Sequence, residues 1–468
     1  MTEEPTLESL LEALRQPDPQ TRQDAAFALA RHNTSAVVTA LIAALADENV
    51  YVRMAAAQSL GELGDARAIP ALAHNLADPD VGARGLAAQA LGKIGSEAVP
   101  TLLPLLAAKD ALTREAVVNA LGGARDGRAA APLAQTLKDR SREVRLAGLR
   151  ALAQIGAPES LEAVTALLQD PDAALRCAAL ATLARLGTPA LPAIQAALAD
   201  EHFSVRQAAA QALGEVGVPQ AAAHLLPALR DVYAVVRQAA AQALGQLGDA
   251  AAVLPLIETL RDSDDGARQA AAAALGHLGD ARALAPLVSA LSDPDPAVRQ
   301  AAADGLDRLG WLPGEDASGV AYWIARQNWE NCQILSELAL EPLIQALDYR
   351  DGPFRLQVVQ TLGQLGDAAT IDERIVRAML VALEKAPDWD VRAAAAQVFS
   401  PLAAAGRYDV SQGLARFARA LQRHRQQDLG QHRYSQRFCQ RRYRQTRQTD
   451  LRPDRGRPPG LHLPRHCP

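Results

Sequence analysis

One short segment of this chain recurs at a nearly constant interval. The copy that begins at Val205 reads VRQAAAQALG, and similar copies begin at Val52, Val236, Ala267 and Val298. When the copies are aligned on their arginine, successive arginines lie 30 or 31 residues apart. These repeat arginines are Arg22, Arg53, Arg84, Arg114, Arg145, Arg176, Arg206, Arg237, Arg268 and Arg299. A fixed period in this range is typical of solenoids, whose units bury their apolar faces by stacking on their neighbours.

Each period predicts two helices. From Val205 onward, apolar residues fall at i, i+3, i+4, i+7 and i+8, which is the spacing of one face of an α-helix. A second amphipathic helix is predicted over Ala221–Leu229. Gly-Asp pairs such as Gly64-Asp65 close several units, since glycine tolerates the left-handed conformation that ends a helix and aspartate caps the next one. Aromatic residues make up only 4% of the chain, so the pattern predicts an all-α solenoid of about twelve helix pairs.

The period is interrupted once. Arg299 and the next copy of the repeat arginine, Arg355, are 56 residues apart, so roughly 25 residues are inserted, and they include three of the four tryptophans. We expect a loop followed by one extra helix, with Tyr322, Trp323 and Trp329 either as packing anchors or as a partner-binding surface. The predicted organisation is a regular array over residues 1–310, an insert over 311–341, further repeats over 342–405 and a tail over 406–468.

The tail has a different composition from the repeats. Residues 413–468 contain 14 arginines and three aspartates, a net charge of +11, which leaves −16 for residues 1–412 of a chain whose net charge is −5. Such a segment can bind nucleic acid or another polyanion, and we expect it to be disordered. The alternative is that the residues after about Leu421 are a frameshift product of a G+C-rich gene, since the chain has 44 arginines and only four lysines. Nucleic acid is therefore a predicted partner only if the tail is genuine.

A second regularity is an aspartate that stands six residues before the repeat arginine in most repeats. These aspartates are Asp47, Asp78, Asp139, Asp170, Asp200, Asp231, Asp262 and Asp293. The Asp-x5-Arg spacing, the VRxAAAxALG core and the 31-residue period make the chain resemble the HEAT-repeat family, specifically the short HEAT-like repeats of phycobilisome lyases. The resemblance covers roughly residues 5–405.

The resemblance implies roles for these residues. In HEAT-like repeats the aspartate and the arginine are structural and join the inter-helix turns of neighbouring units, which suits a guanidinium group with five fixed donors. The alternative is an anion-binding row of arginines. The predicted ladder consists of the eight aspartates with Arg53, Arg84, Arg145, Arg176, Arg206, Arg237, Arg268 and Arg299. The resemblance also allows a lyase that attaches or removes a bilin, although a shared repeat does not by itself carry an activity.

Polar residues recur at two positions of the second helix of each repeat. Five places after the arginine stand Gln58, Gln89, Asn119, Arg150, Gln211, Gln242, Asp304, Gln360 and Gln397. One place after it stand Gln23, Gln207, Gln238, Gln269 and Gln300. The two positions are one helical turn apart, and in HEAT-type stacks the second helices line the concave side, so two amide rows are expected along a groove. Amides offer donors and acceptors without charge and suit an extended peptide or a partner helix; ordinary solvated surface is the alternative.

The sequence contains no recognisable enzyme motif. Deoxyhypusine hydroxylase, another HEAT-like protein, binds iron through His-Glu pairs, but here Glu201-His202 is in the reverse order. GxSxG, HExxH and phosphate-loop motifs are absent as well. We therefore expect no cofactor and no metal, and a non-catalytic scaffold that binds another protein along its concave surface. Four cysteines without CxxC spacing and the absence of any run of 18 apolar residues favour a cytoplasmic protein with no membrane partner.

Overall fold

The computed structural model describes residues 6–349, 351–365 and 372–404. All regular secondary structure in these residues is helical, in 26 α-helices and a series of short 3-10 turns. The prediction of an all-α solenoid is confirmed. The chain divides into two compact units, Met1–Leu312 and Pro313–Pro468, so the division falls near the start of the predicted insert.

The first unit consists of ten consecutive helix pairs. The first helix of each pair is short and often continues into a 3-10 turn, whereas the second is regular and usually 14 residues long. The pairs are α1 and α2 (Leu7–Ala13, Pro19–Leu29), α3 and α4 (Ser35–Ala44, Val50–Leu63), α5 and α6 (Ile69–His74, Val81–Ile94), α7 and α8 (Val99–Leu102, Ala111–Ala124), α9 and α10 (Ala130–Thr136, Arg142–Ile155), α11 and α12 (Leu161–Ala166, Ala173–Leu186), α13 and α14 (Leu191–Ala196, Phe203–Val216), α15 and α16 (Ala222–Leu225, Ala234–Leu247), α17 and α18 (Val253–Thr259, Asp265–Leu278), and α19 and α20 (Leu284–Ala290, Pro296–Arg308).

Local signals fix where the helices begin and end. At the start of α6, the side chain of Asp80 accepts a hydrogen bond from the amide of Ala83, which satisfies one of the free N–H groups of the first turn. At the end of α16, Gly248 has a φ of 73°, a left-handed conformation that glycine adopts without strain. Asp249 then accepts the amide hydrogen of Ala251 and caps the following 3-10 turn. The interpretation of the Gly-Asp pairs as helix boundaries is therefore confirmed.

Small residues allow consecutive second helices to pack directly against one another. In the first unit, the glycine eight places after the repeat arginine, where present, faces an alanine or glycine of the next second helix. A Cβ atom on Gly245 would lie 2.8 Å from the Cα of Ala274, and one on Gly276 would lie 2.5 Å from the Cα of Gly305. Side chains at these positions would force the helices apart, because protein interiors are closely packed. Where the repeat motif ends in Leu-Gly, the glycine thus allows this close approach of the helices.

The second unit contains two further helix pairs and two additional helices. Its helices are α21 (Ala317–Ala325), α22 (Trp329–Ile334), α23 (Glu337–Ala346), α24 (Gly352–Gln364), α25 (Glu373–Lys385) and α26 (Trp389–Ala404). The insert, expected to contain one helix, contains both α21 and α22. They are separate because Gln327 has a φ of 54° and Asn328 caps a new helix by accepting the amide hydrogen of Asn331.

Two further predictions concern the basic tail and the absence of a membrane-spanning segment. The basic tail predicted over residues 406–468 lies outside the described residues. Among the described helices, none combines the length and the apolar character that a membrane crossing requires.

Candidate binding surface

The repeat arginines connect neighbouring repeats. Nε and Nη2 of Arg206 donate hydrogen bonds to the two carboxylate oxygens of Asp231, at 2.6 and 2.9 Å. Its Nη1 donates to the carbonyl oxygens of Asp200 and Glu201, in the turn before its own helix. One guanidinium group therefore joins the turns of two successive repeats. The same bidentate arrangement occurs in Arg22–Asp47, Arg53–Asp78, Arg114–Asp139, Arg237–Asp262 and Arg268–Asp293.

Two rungs of this ladder are incomplete. Arg176 reaches Asp200 through Nη2 alone, at 2.9 Å, and Nε of Arg145 lies 3.8 Å from Asp170. In both arginines the buried Nε atom has no hydrogen-bond partner. Like the others, both arginines donate Nη1 to the carbonyl groups of the preceding turn, and so does Arg299 at the end of the first unit. Contact with the preceding turn is therefore the more regular half of the ladder.

One rung lacks its carboxylate altogether. Ala108 occupies the position six residues before Arg114 that aspartate holds in most other repeats. Arg84, which would pair with that aspartate, donates Nη1 to the carbonyl oxygens of Asp78 and Pro79, at 2.5 and 3.1 Å. Within the described residues its Nε and Nη2 make no hydrogen bond. The guanidinium group of Arg84 is thus held by one edge only.

Several carboxylates of the ladder have a lowered pKa. Hydrogen bonds from Arg206 lower the pKa of Asp231, although burial acts in the opposite direction. For Asp262, burial is the largest influence and would raise the pKa, but hydrogen bonds from Arg237 and a backbone amide outweigh it and the pKa is lowered. The side chains of Arg206 and Asp231 are only 15% and 12% exposed. This geometry favours a structural role for the arginines over an anion-binding row.

The predicted amide positions share one face of the second helices. We call this the groove face and define it by the residues one, five and nine places after each repeat arginine. Gln89, Gln211, Gln242, Gln269 and Gln300 are exposed there, and Gln58, Gln207 and Gln238 are half-buried. Gln58 donates a hydrogen bond to Glu62, at 3.1 Å. The other seven amide side chains make no hydrogen bond within the part of the chain that the structure describes.

A cavity between α18 and α20 brings two of the predicted glutamines together. It has a volume of about 330 Å³, and both Gln269 and Gln300 line it. His277, Asp304 and Arg308, from the other two positions of the groove face, line it as well. Residues one, five and nine places after the arginine therefore form a common surface across neighbouring helices.

A larger cavity lies on the groove face across α6, α8 and α10. Its volume is about 690 Å³, and it is lined by Gln89 together with Asn119 and Arg150, which occupy the equivalent position in the next two repeats. Val81 and Leu112, in the first turns of α6 and α8, also line it and are 72% and 50% exposed. This cavity combines polar, charged and apolar surface.

Several residues of this larger cavity were not predicted from the sequence. Gly85, Lys93, Gly123 and Arg125 line it, but these residue types do not recur at the equivalent positions of the other repeats. The signal that could have identified them is a residue that differs from its equivalents in the other repeats. Aligning the repeats and marking where each departs from the common pattern singles out Gly85, Gly123 and Arg125.

The aromatic residues of the insert pack within the second unit. Tyr322 is 8% exposed, and Trp323 and Trp329 are half-buried against the hydrophobic core of that unit. The ring of Trp329 lies edge-on to Phe354, with 5.4 Å between the ring centroids. Much of the apolar surface of these side chains therefore contributes to folding of the unit.

The described part of the chain contains two cysteines, Cys177 and Cys332, neither of them in a disulfide bond. The described residues contain no group of three or more His, Cys, Asp or Glu side chains that could hold a metal ion. Burial raises the pKa of the Cys332 thiol to about 12, so this thiol is protonated at neutral pH. Cys177 is half-buried, and its Sγ donates to the carbonyl oxygen of Ser204, at 3.4 Å.

Known structures share this fold at low sequence identity. Kap121p bound to Pho4p matches with a TM-score of 0.51 and 12% identity, over 86% of this chain and 57% of Kap121p. Importin beta in a polyethylene glycol condition matches with a TM-score of 0.50 and 15% identity, over 89% of this chain and 69% of importin beta. The karyopherin Kap121p bound to the extreme C-terminus of the protein phosphatase Cdc14p matches with a TM-score of 0.50 and 12% identity, over 88% of this chain and 59% of Kap121p. The chain thus spans less than two thirds of either Kap121p chain, and similarity at this identity shows the fold alone.

Family models identify the repeats directly. One described as PBS lyase HEAT-like repeat matches residues 236–262, and one described as HEAT repeats matches residues 7–92, 75–142, 130–202, 164–245 and 253–318. No curated protein sequence matches the chain. The HEAT-repeat matches together extend over well more than half of the chain and fall on the helix pairs described above. This protein belongs to the HEAT-repeat family.

Proposed function

We propose that this protein is a non-catalytic scaffold that binds a partner protein along its groove face. The observation that carries this proposal is the set of unused amide groups in four consecutive repeats. Their side chains make no hydrogen bond within the described residues, whereas most donors and acceptors of the neighbouring Asp/Arg ladder are satisfied. The set consists of Gln207, Gln211, Gln238, Gln242, Gln269 and Gln300.

The spacing of these amides suits an extended chain. Packed helices lie about 8–10 Å apart, and an extended polypeptide advances about 3.3 Å per residue. Glutamines at equivalent positions of successive second helices therefore recur once for about every three residues of a bound strand. An amide can both donate to a backbone carbonyl and accept from a backbone N–H, so the row can bind main chain without requiring a particular charge. Kap121p, which has the same fold, is bound to Pho4p in one of the structures above.

The proposal is tested by replacing Gln207, Gln211, Gln238 and Gln242 together with glutamate. Four carboxylates would remove every side-chain donor at these positions and add negative charge, so we expect partner capture from the native cell to be lost. Folding should be retained, because the four positions are not in the core and glutamate has good helix propensity. The measurement is affinity capture with quantification of the retained proteins, with circular dichroism as the check on folding.

A matched control places the same charge on the opposite helices. Ala166, Ala196, Ala223 and Ala285 are exposed on the first helices α11, α13, α15 and α19, and changing all four to glutamate should leave capture unchanged. Normal capture by the groove variant would contradict the proposal. If Trp323→Ala and Trp329→Ala then abolish capture by a folded protein, the insert is the binding site instead.

A further inference from the structure

The large cavity across α6, α8 and α10 concentrates positive charge on an otherwise acidic protein. Arg84, Lys93, Arg125 and Arg150 line it with a single carboxylate, Glu115, whereas residues 1–412 carry a net charge of −16. Glu115 lies 3.9 Å from Nη2 of Arg150. Among the described carboxylates, none pairs with Lys93 or Arg125. The lining of the cavity therefore contains more cationic than anionic groups.

Two residues that line the cavity, Gly85 and Gly123, lack the side chains that other repeats have at the same positions. Gly85 stands one place after its repeat arginine, where four other repeats have the glutamines Gln207, Gln238, Gln269 and Gln300. Gly123 stands nine places after its arginine, where the neighbouring repeats have the long side chains of Lys93 and Gln154. A Cβ atom on Gly85 would meet no atom within 4 Å, so packing does not require glycine there.

Arg125 is held in an unfavourable backbone conformation at the same cavity. Its φ is 51° and its ψ is 36°, in the left-handed region. The equivalent residue of eight other repeats is a glycine with positive φ: Gly64, Gly95, Gly156, Gly187, Gly217, Gly248, Gly279 and Gly310. An arginine in this conformation is strained, whereas glycine is not. Strain of this kind concentrates at functional sites, where the side chain is needed for binding.

Apolar side chains lie beside the cationic groups. Val81 and Leu112 are exposed in the first turns of α6 and α8, and Tyr51 is 60% exposed in the equivalent turn of α4. The distance from α6 to α10 is two helix spacings, about 16–20 Å, which corresponds to about six residues of extended chain. The occupant must therefore be elongated, negatively charged and partly apolar.

From these features we infer that the cavity binds an extended acidic segment of the partner protein that also carries an apolar side chain. Carboxylates of the segment accept charge-assisted hydrogen bonds from Lys93, Arg125 and Arg150, and its apolar residue packs on Val81 and Leu112. Complementary charge also excludes basic segments. The inference rests on the proposed function, because it states the chemistry of the partner at one part of the groove face.

The test uses the full chain and a fluorescent peptide of about eight residues, made of glutamate, leucine and serine. A matched peptide has lysine in place of each glutamate. Fluorescence anisotropy should show binding of the acidic peptide that weakens as salt increases, and no binding of the basic one. Lys93→Gln with Arg150→Gln should weaken binding at least tenfold. The control, Arg140→Gln with Arg261→Gln, removes the same charge from exposed residues outside the cavity and should change affinity by less than twofold.

The variant Arg125→Gly should reduce peptide binding without reducing stability. We expect it to weaken binding of the acidic peptide several-fold. The melting temperature should stay the same or rise, because the backbone strain is released. A peptide that binds equally well to the Lys93/Arg150 variant, equal binding of acidic and basic peptides, or no binding of the acidic peptide would each overturn the inference. Inorganic phosphate that displaces the peptide far more effectively than chloride at the same ionic strength would overturn it too, since the cavity would then be a small-anion site.

The experiments distinguish a failure of this inference from a failure of the proposed function. If the acidic peptide does not bind but the fourfold glutamine variant still loses its partner, the groove function stands and the acidic occupant is wrong. If the peptide binds through Lys93 and Arg150 but partner capture does not depend on the glutamines, the acidic site stands and the amide rows are ordinary surface.

Discussion

Replacing Ala108 with aspartate should complete the one rung of the ladder that lacks a carboxylate, and should stabilise the protein. The backbone is already in the required conformation, since Ala108 has φ −56° and ψ 141° and Asp78, at the equivalent position, has φ −57° and ψ 138°. Asp78 accepts hydrogen bonds from Nε and Nη2 of Arg53, at 2.7 and 2.9 Å. Nε and Nη2 of Arg84 are available for the same geometry.

The magnitude follows from the bonds that would form. The new carboxylate would accept two hydrogen bonds from Arg84 and one from the amide of Asp110, as Asp78 does from the amide of Asp80. Hydrogen bonds to charged groups contribute about 1.5–3 kcal/mol each, but burying a carboxylate costs several kcal/mol. Because Nη1 of Arg84 is already fixed by two carbonyl groups, little further side-chain entropy is lost. We expect a net gain of about 1–2 kcal/mol in the free energy of unfolding.

The assay should resolve local stability, because repeats in a solenoid unfold in segments. Urea denaturation followed by circular dichroism gives the overall change, and hydrogen exchange of the α6 and α8 amides shows whether it is located at this rung. Ala108→Asn, which has no charge, should give a smaller gain. Arg84→Gln in both backgrounds completes a double-mutant cycle. A coupling energy below about 0.5 kcal/mol would refute the idea that the aspartates stabilise the stack through their arginines.

Three further predictions concern the same architecture. Arg206→Ala should lower the free energy of unfolding by about 1–3 kcal/mol through unsatisfied groups in the turns and leave partner binding intact; lost binding with an unchanged melting curve would show that the arginine is functional. Because the pKa of Asp231 is lowered in the folded protein, its contribution should be fully present above the unfolded pKa of about 4 and be lost as the pH falls through the lower folded pKa. Melting temperatures between pH 7 and pH 2 should therefore fall on the acidic side, and less steeply in Arg206→Ala. Gly276→Ala should lower the free energy of unfolding by about 1–3 kcal/mol, because its Cβ would overlap the next helix. Gly85→Ala should instead raise it by up to about 1 kcal/mol through helix propensity. Equal effects of the two changes would contradict the close helix packing.

The period of the sequence predicted the helices well, because each pair is specified by residues within one repeat. It predicted the buried surface less completely. In the copy at Val205, the expected apolar stripe includes Ala208, which is only half-buried, and omits Ala210, which is fully buried. A second helix packs against the helices before and after it as well as against its own partner. Its apolar face is therefore wider than one amphipathic stripe indicates.

The predicted ladder differs from the observed pairs in its members and in how they pair. It omits Arg22 and Arg114, which bind Asp47 and Asp139, and it includes Arg84, which donates to backbone carbonyl groups. Each aspartate stands six residues before one arginine, yet the carboxylate of Asp231 binds Arg206 of the preceding repeat, 25 residues earlier. Arg237, the arginine six residues later, binds the backbone carbonyl of Asp231 instead. Both contacts are compatible with the spacing. The choice between them depends on how one repeat stacks on the next, which the composition of a single repeat does not specify.

The candidate site was harder to predict for a related reason. The regular pattern describes what every repeat needs for folding, so a specific binding site must lie where one repeat departs from it. A Cβ atom on Gly85 would meet no atom within 4 Å, so either glycine or a larger residue fits there and this departure says little by itself. Arg125 differs because its left-handed backbone makes a side chain unfavourable there. Arg125 is thus a departure from the repeat pattern that reduces stability, and it lies at a cavity with three other cationic groups. Folding does not explain why an arginine stands there, whereas binding does.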